Sequence, residues 1–208
     1  MLNMAERPIL TSRRLILRTP RKEDAGTIAA LANDWEVARR LTRLPHPYTL
    51  EDAVFFLEEI VPNELVWTIE SSAAREIAGV AGLTPDADAG TLELGYWLGR
   101  AFWGHGFGTE AAGIVLDYAF GLAATSVVTA GCFTDNFRSL RVLRKLGFAI
   151  KGESLRFCLA QQTELPHYDM ALTRAARARL RDPQGGLAAE IGACRFRPRN
   201  PPTRPSGS

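Results

Sequence analysis

The sequence predicts an α+β fold: one mixed, mostly antiparallel sheet of about 6–7 strands, with helices on both faces in a three-layer α/β/α arrangement. Three observations carry that expectation. Period-2 and helical segments alternate as strand, helices, three strands, helix, strand, helix and two closing strands, which is not the strict βα order of a doubly wound sheet. The 208 residues are 46% hydrophobic and 23% charged, an ordinary globular composition that excludes wholesale disorder, collagen and coiled coil. The most apolar run, Ala111 to Val128, is broken by Asp117, Tyr118, Gly121, Thr125 and Ser126, so it reads as helix, turn and strand rather than a membrane span. No internal repeat is visible.

The elements follow in order. Arg14–Arg18 alternates as a first strand, and Thr19-Pro20 breaks it. Lys22–Asn33 has apolar residues at helical spacing, with Glu23 and Asp24 at its positive end, and a short helical piece covers Trp35–Leu41. Two prolines keep Leu44–Tyr48 out of a helix. Thr49 then caps a helix over Leu50–Ile60 whose first turn holds Glu51 and Asp52. Leu65–Glu70 and Ile77–Thr84 are strands, Pro85–Gly90 is a turn, and Thr91–Leu98 is a strand of strong character. A glycine-rich loop leads into a helix over Gly108–Phe120. Thr125–Cys132 is a strand, Asn136–Leu146 is a helix closed by Gly147, and Phe148–Leu159 with His167–Leu172 form a closing pair. Arg174–Leu180 is a short last helix. Residues 1–181 are expected to form one domain, and residues 182–208, rich in Pro, Gly and Arg, a flexible tail.

Charge is uneven. The net +2 conceals a balance of −10 across residues 44–120 and of +6 across residues 174–204. Solvated faces explain this, and so does an acidic rim that attracts a cationic amine. The Arg-rich tail lacks interleaved aromatics beyond Phe196, so nucleic-acid binding is not expected. Residues 1–8 lack the apolar core of a secretory signal. Cys132, Cys158 and Cys194 show no CxxC spacing, and His46, His105 and His167 are dispersed. Neither a disulfide framework nor a metal site is expected, which suits a reduced, cytoplasmic protein.

The chemistry concentrates in Leu94–Phe120, where a strand runs into Trp103-Gly104-His105-Gly106-Phe107-Gly108-Thr109 and a helix starts at once. Glycines let backbone approach a ligand closely, and the unpaired N–H groups of a first helical turn make an anion site with the helix dipole. The expected anion is phosphate or pyrophosphate. A Walker loop needs Gly-Lys-Ser/Thr, whereas Gly108 is followed by Thr109 and Glu110. A dinucleotide fingerprint needs a third glycine or alanine where Thr109 stands. The pattern x-x-x-G-x-G between a splayed strand and a helix is met by Trp103–Gly108.

Gly95-Tyr96-Trp97-Leu98, Trp103–Ala111, Asn136 with Ser139, and Leu146-Gly147-Phe148 together resemble the GNAT superfamily of acetyltransferases. Arg14–Arg18, Pro47-Tyr48-Thr49 and Tyr168-Asp169 are similar to the branch that acetylates N-terminal amines of ribosomal proteins. The resemblance spans roughly residues 10–175. It implies a sheet splayed between its fourth and fifth strands and transfer of an acetyl group from acetyl-CoA to a primary amine, with no metal. The amine of a protein N-terminus is the first acceptor it implies. Small amines (an aminoglycoside, an amino acid, a polyamine) and a non-catalytic acyl-CoA-binding module are the alternatives. An amine acceptor is thus the expected partner, with no membrane, and a homodimer is an open option.

The resemblance also implies residue roles. Backbone amides of Trp103, Gly104, His105, Gly106, Phe107, Gly108 and Thr109 would hold the pyrophosphate, and groups near Leu98 would pair with the pantetheine arm. Asn136 would bond that arm, or serve simply as an N-cap. Ser139, near the cofactor sulfur, is the candidate proton donor to the leaving thiolate. Glu93 shares a strand face with Gly95 and Trp97 and is the candidate base, directly or through water; a carboxylate that only attracts the ammonium is the alternative. His167 and Tyr168 are further candidates, and Glu110 is better explained by the helix dipole. Trp35, His46 and Tyr48 would wall the amine side, or act as packing.

Overall fold

The computed structural model describes residues 7–86 and 90–181. The expected tail, 182–208, lies outside the described residues. Among the described residues eight strands form one sheet: β1 (Leu10–Thr11), β2 (Leu15–Arg18), β3 (Leu65–Ser71), β4 (Ile77–Pro85), β5 (Thr91–Leu98), β6 (Val127–Phe133), β7 (Ala149–Cys158) and β8 (Thr163–Thr173), in the order β1-β2-β3-β4-β5-β6-β8-β7. The expectation of 6–7 strands is corrected to eight. The extra one, β1, has only two residues, too few to show a period, and it pairs Leu10 with Leu17 and Thr11 with Ile16.

Every pairing is antiparallel except β5 with β6, which is parallel and short. Only Thr91, Leu92 and Glu93 of β5 meet Val127, Val128 and Thr129 of β6. Beyond Glu93 the two strands part, so Leu94–Leu98 keeps one row of backbone groups without a ladder partner. This is the splay between the fourth and fifth of the predicted strands.

The helices are α1 (Ala25–Ala32), α2 (Trp35–Ala38), α3 (Leu50–Phe55), α4 (Phe107–Gly121), α5 (Phe137–Lys145) and α6 (Arg174–Arg181). The segment expected as one helix from Lys22 opens as a 3₁₀ turn, Lys22–Asp24, before α1. Thr49 caps α3 in a capping box with Asp52, and its last turn widens into a π-helix over Phe56–Ile60. Gly147, at φ +96°, closes α5.

Two cores flank the sheet. On one face α4 presents Ala111, Ala112, Val115, Leu116 and Ala119 to Leu15, Leu17, Trp67, Leu92 and Leu94, and small alanines let helix and sheet approach closely. Trp67 is fully buried there and donates its indole N–H to the Pro8 carbonyl at 2.9 Å. On the other face Ile28 and Ala32 of α1 with Ala53 and Leu57 cover Val66 and Val80. Alternate residues of β5 divide accordingly: Leu92, Leu94, Tyr96 and Leu98 join the α4 core, and Trp97 joins the other. Among the described residues no helix is long and apolar enough to cross a membrane.

Candidate active site

The parting of β5 from β6 opens a cleft of about 1360 Å³. Its floor is β5 from Glu93 to Leu98, one end is the glycine loop with the start of α4, one wall is α5, and the far side is α2 with residues 41–43.

The loop geometry follows from its glycines. Gly104 and Gly106 hold φ of +83° and +80°, a region where a Cβ meets the following carbonyl. Gly106 is the N-cap residue of α4, so the helix starts directly out of a left-handed turn, and Phe107, Gly108 and Thr109 of its first turn line the cleft. Glu110 does not point into the cleft. Ser12 and Arg14 bind its carboxylate, with Arg14 Nε at 2.7 Å, and clamp α4 to the start of β2. Burial raises the Glu110 carboxyl, but the Ser12 and Arg14 hydrogen bonds outweigh it and hold the group below its usual range. Arg14 also donates to the His105 carbonyl at 2.9 Å and lies over the Phe107 ring at 5.0 Å.

Trp103 lines the cleft, donating its indole N–H to the Leu98 carbonyl at 2.8 Å while Arg138 of α5 lies 4.8 Å over its ring. The indole therefore already uses the Leu98 carbonyl, and a chain added along β5 would use the open groups before it. Gly104, Gly106, Phe107, Gly108 and Thr109 also line the cleft. The exposed His105 is not part of that lining.

At the middle of the cleft Asn136 is buried and N-caps α5, its side chain accepting the Ser139 amide at 3.2 Å. Ser139 Oγ lies 3.0 Å from the Tyr96 hydroxyl. Burial drives the Tyr96 phenol well above its usual range and pushes the Cys132 thiol up to about 11 despite the hydrogen bond to Ser139. Both groups stay protonated at neutral pH, leaving a part-buried Tyr96–Ser139 hydroxyl pair where β5 faces α5. The sequence signal for Tyr96 was its alternation with Glu93: the two occupy opposite faces of β5, so one strand serves both halves of the cleft.

Glu93 sits at the fork, paired across the sheet with Thr84 and Thr129. Its side chain is 54% exposed and 3.8 Å from Arg43, which also binds Glu64 at 3.0 Å. Opposite it, His167 of β8 is buried and lines the same cleft, with Nδ1 3.1 Å from Asp169 Oδ1.

The three residues expected on the amine side do not come together there. Trp35 and His46 stack edge to face at 5.3 Å, and neither is among the cleft-lining residues. Tyr48 packs into the core under α1 and α3, where burial pushes its phenol up to about 12. The helix that carries Trp35 instead presents Glu36 and Val37 to the cleft, with Arg40 just after it.

Residues 14–149 match the family model described as an acetyltransferase (GNAT) domain. The Bacillus subtilis (strain 168) uncharacterized N-acetyltransferase YoaA is 32% identical over 151 residues, covering 70% of this chain and 85% of YoaA. Among solved structures, ribosomal-protein-S5-alanine acetyltransferase from Vibrio fischeri superposes with a TM-score of 0.69 at 19% identity, over 80% of this chain and 97% of that one. Spermidine N-acetyltransferase from Vibrio cholerae, solved with CoA and spermine, gives 0.69 at 16% identity, over 80% and 99%. At such identity the two structures establish a shared fold.

Proposed function

Since the chain belongs to the GNAT acetyltransferase family and is an acyltransferase, we propose that its cleft moves an acetyl group from acetyl-CoA to the primary amine of a protein N-terminus. The observation that supports this best is the meeting, at one fork in the sheet, of an open β5 edge, a left-handed glycine turn at a helix start and the Tyr96–Ser139 hydroxyl pair. The glycine turn and the first amides of α4 suit the pyrophosphate. The open edge of β5 suits the amides of the pantetheine arm, and the Asn136 side chain stands beside that path.

In this reading the amine enters from the side of α2, attracted by Glu93. Its nitrogen lone pair attacks the thioester carbonyl, the C–S bond breaks, the thiolate takes a proton from Ser139, and the proton shed by the newly acylated nitrogen restores Ser139, whose hydroxyl Tyr96 holds in place at 3.0 Å. A strand N–H at the fork holds the oxyanion of the tetrahedral intermediate. The spermine-bound Vibrio cholerae neighbour supports a second reading, a small polyamine acceptor that the same Glu93 carboxylate would attract.

Calorimetry with acetyl-CoA, then thiol release across N-terminal peptides and small amines, tests the proposal. Binding with release on peptides supports it; release on small amines alone moves the acceptor to the second reading; absence of binding removes both. Ser139→Ala is expected to lower kcat on the order of 100-fold while leaving acetyl-CoA affinity within about threefold, because a proton donor acts in the transition state. The Asn136 side chain accepts from the backbone amide of position 139, which the substitution keeps, so α5 retains its start. An unchanged kcat removes Ser139 from the reaction.

A further inference from the structure

We propose that His167 is the catalytic base that deprotonates the incoming ammonium, with Asp169 as its positioning residue and Glu93 as an attracting charge only. This inference rests on the acetyl-transfer reading of the cleft.

The imidazole occupies a built site. A β carbon at Gly131 would stand 2.1 Å from His167 Cε1 and 2.7 Å from Nε2, so the ring lies where any other residue at 131 would put its side chain. Phe133 packs against the ring edge to face at 5.7 Å. Both residues belong to β6 just past the fork, where its β5 side is open. Nδ1 is committed to Asp169 at 3.1 Å. A carboxylate there holds the proton on Nδ1 and leaves the Nε2 lone pair free, the arrangement a general base requires.

The surroundings keep that lone pair available. Burial lowers the imidazole below its ordinary value; Asp169 on β8 and Glu93 on β5 act against burial, and Arg156 on β7 acts with it. Burial raises the Asp169 carboxyl, but His167 and Arg156 help to hold it below its usual range, so it stays an acceptor for Nδ1–H. Glu93, by contrast, is half exposed and shared with Arg43. Two ammonium protons are accounted for: one passes to Nε2 and frees the lone pair that forms the C–N bond, and the second leaves the nitrogen as the C–S bond breaks, replacing the proton that Ser139 gives to the thiolate.

Two measurements decide the matter. Nitrogen-15 histidine NMR of the full chain, with His167→Gln identifying the signal, is expected to show the Nδ1–H tautomer at neutral pH; the proton on Nε2 overturns the proposal whatever the acceptor. With the best acceptor, kcat/KM of the wild type is expected to fall on the acid side, at a pH below the ordinary imidazole range, because a protonated imidazole accepts nothing. His167→Gln should lose that limb and about 100-fold in kcat with acetyl-CoA affinity intact. Asp169→Asn should move the limb, and Glu93→Gln should raise acceptor KM while keeping it. A His167→Gln enzyme that keeps its rate and its acid limb overturns this inference alone. A wild type that binds acetyl-CoA yet acetylates no amine overturns the transfer reading and this one with it.

Discussion

Gly106→Val is expected to weaken acetyl-CoA binding by more than about 100-fold, a loss of about 3 kcal/mol. The residue sits at φ +80° as the N-cap of α4. A left-handed conformation costs an ordinary residue about 1–2 kcal/mol, and a β-branched one more. Valine therefore forces the turn into another shape and re-aims the first amides of the helix. Its Cβ also comes within 3.4 Å of Arg14 Nη2, part of the clamp on Glu110. Gly104→Ala provides the graded control. It shares the positive φ but meets no atom within 4 Å, so the conformational cost alone should weaken binding about tenfold. Calorimetry on variants shown to be folded by circular dichroism reads both effects. Wild-type affinity in a folded Gly106→Val protein would mean that the anion sits elsewhere.

The loop was the part of the site most readable in the sequence, because its signal is local. Alternate glycines directly ahead of an Ala-rich helix have one simple geometric use, and Gly104 and Gly106 both adopt it. Asn136 and Ser139 were readable for the same reason, being three apart on one helix with the first capping the second. The order of strands and helices followed from periodicity, apart from the two-residue β1 and the fine structure of helix ends, such as the π turn after Phe55. Such ends depend on packing rather than on local preference.

What stayed hidden depended on register or rotation. His167 lies over Gly131 because β6 and β8 pair Phe133 with His167, a long-range choice that no spacing in one chain expresses. The side of the cleft formed by α2 depended on how that helix is turned. Trp35 and Glu36 are adjacent in sequence and point apart, so the prominent aromatic packs on His46 while its charged neighbour faces the cleft. Tyr48 shows the same limit: a tyrosine beside two prolines is equally suited to a rim and to a core, and the packing of α1 and α3 sends it to the core. Glu93 was placed on the correct face by alternation, yet its partner Arg43 comes from the segment after α2 and could not be foreseen.

Arg18→Met is expected to produce the largest loss of stability, about 3–5 kcal/mol at pH 7. Arg18 donates from Nη1 and Nη2 to Asp24 at 2.7 and 2.9 Å and from Nε to Glu70. Both carboxylates are buried, at 6% and 5% exposure. The guanidinium thus ties the end of β2 to β3 and to the turn that launches α1, and its own pKa is raised by the Asp24 hydrogen bond. Methionine fills similar volume without charge and leaves two carboxylates in low dielectric without the cation that binds both, where removing one partner costs far more than the intact pair contributes. On the scale of about 5–15 kcal/mol for a whole domain, that loss brings the fold close to its limit, and the melting point should fall by on the order of 10 °C. The pH dependence separates this from simple loss of packing. In the wild type, Asp24 is raised by burial but lowered more by Arg18, so its contribution is present above the ordinary carboxyl range and fades as pH falls through its depressed value. In Arg18→Met the sign reverses: burial dominates, the Asp24 carboxyl moves up, and protonation relieves the penalty. The deficit in urea unfolding should therefore be largest at pH 7 and shrink toward about pH 4, where carboxyls take up protons. A deficit under about 1 kcal/mol, or one of equal size at both pH values, would show that the burial of these charges does not govern the stability of this corner.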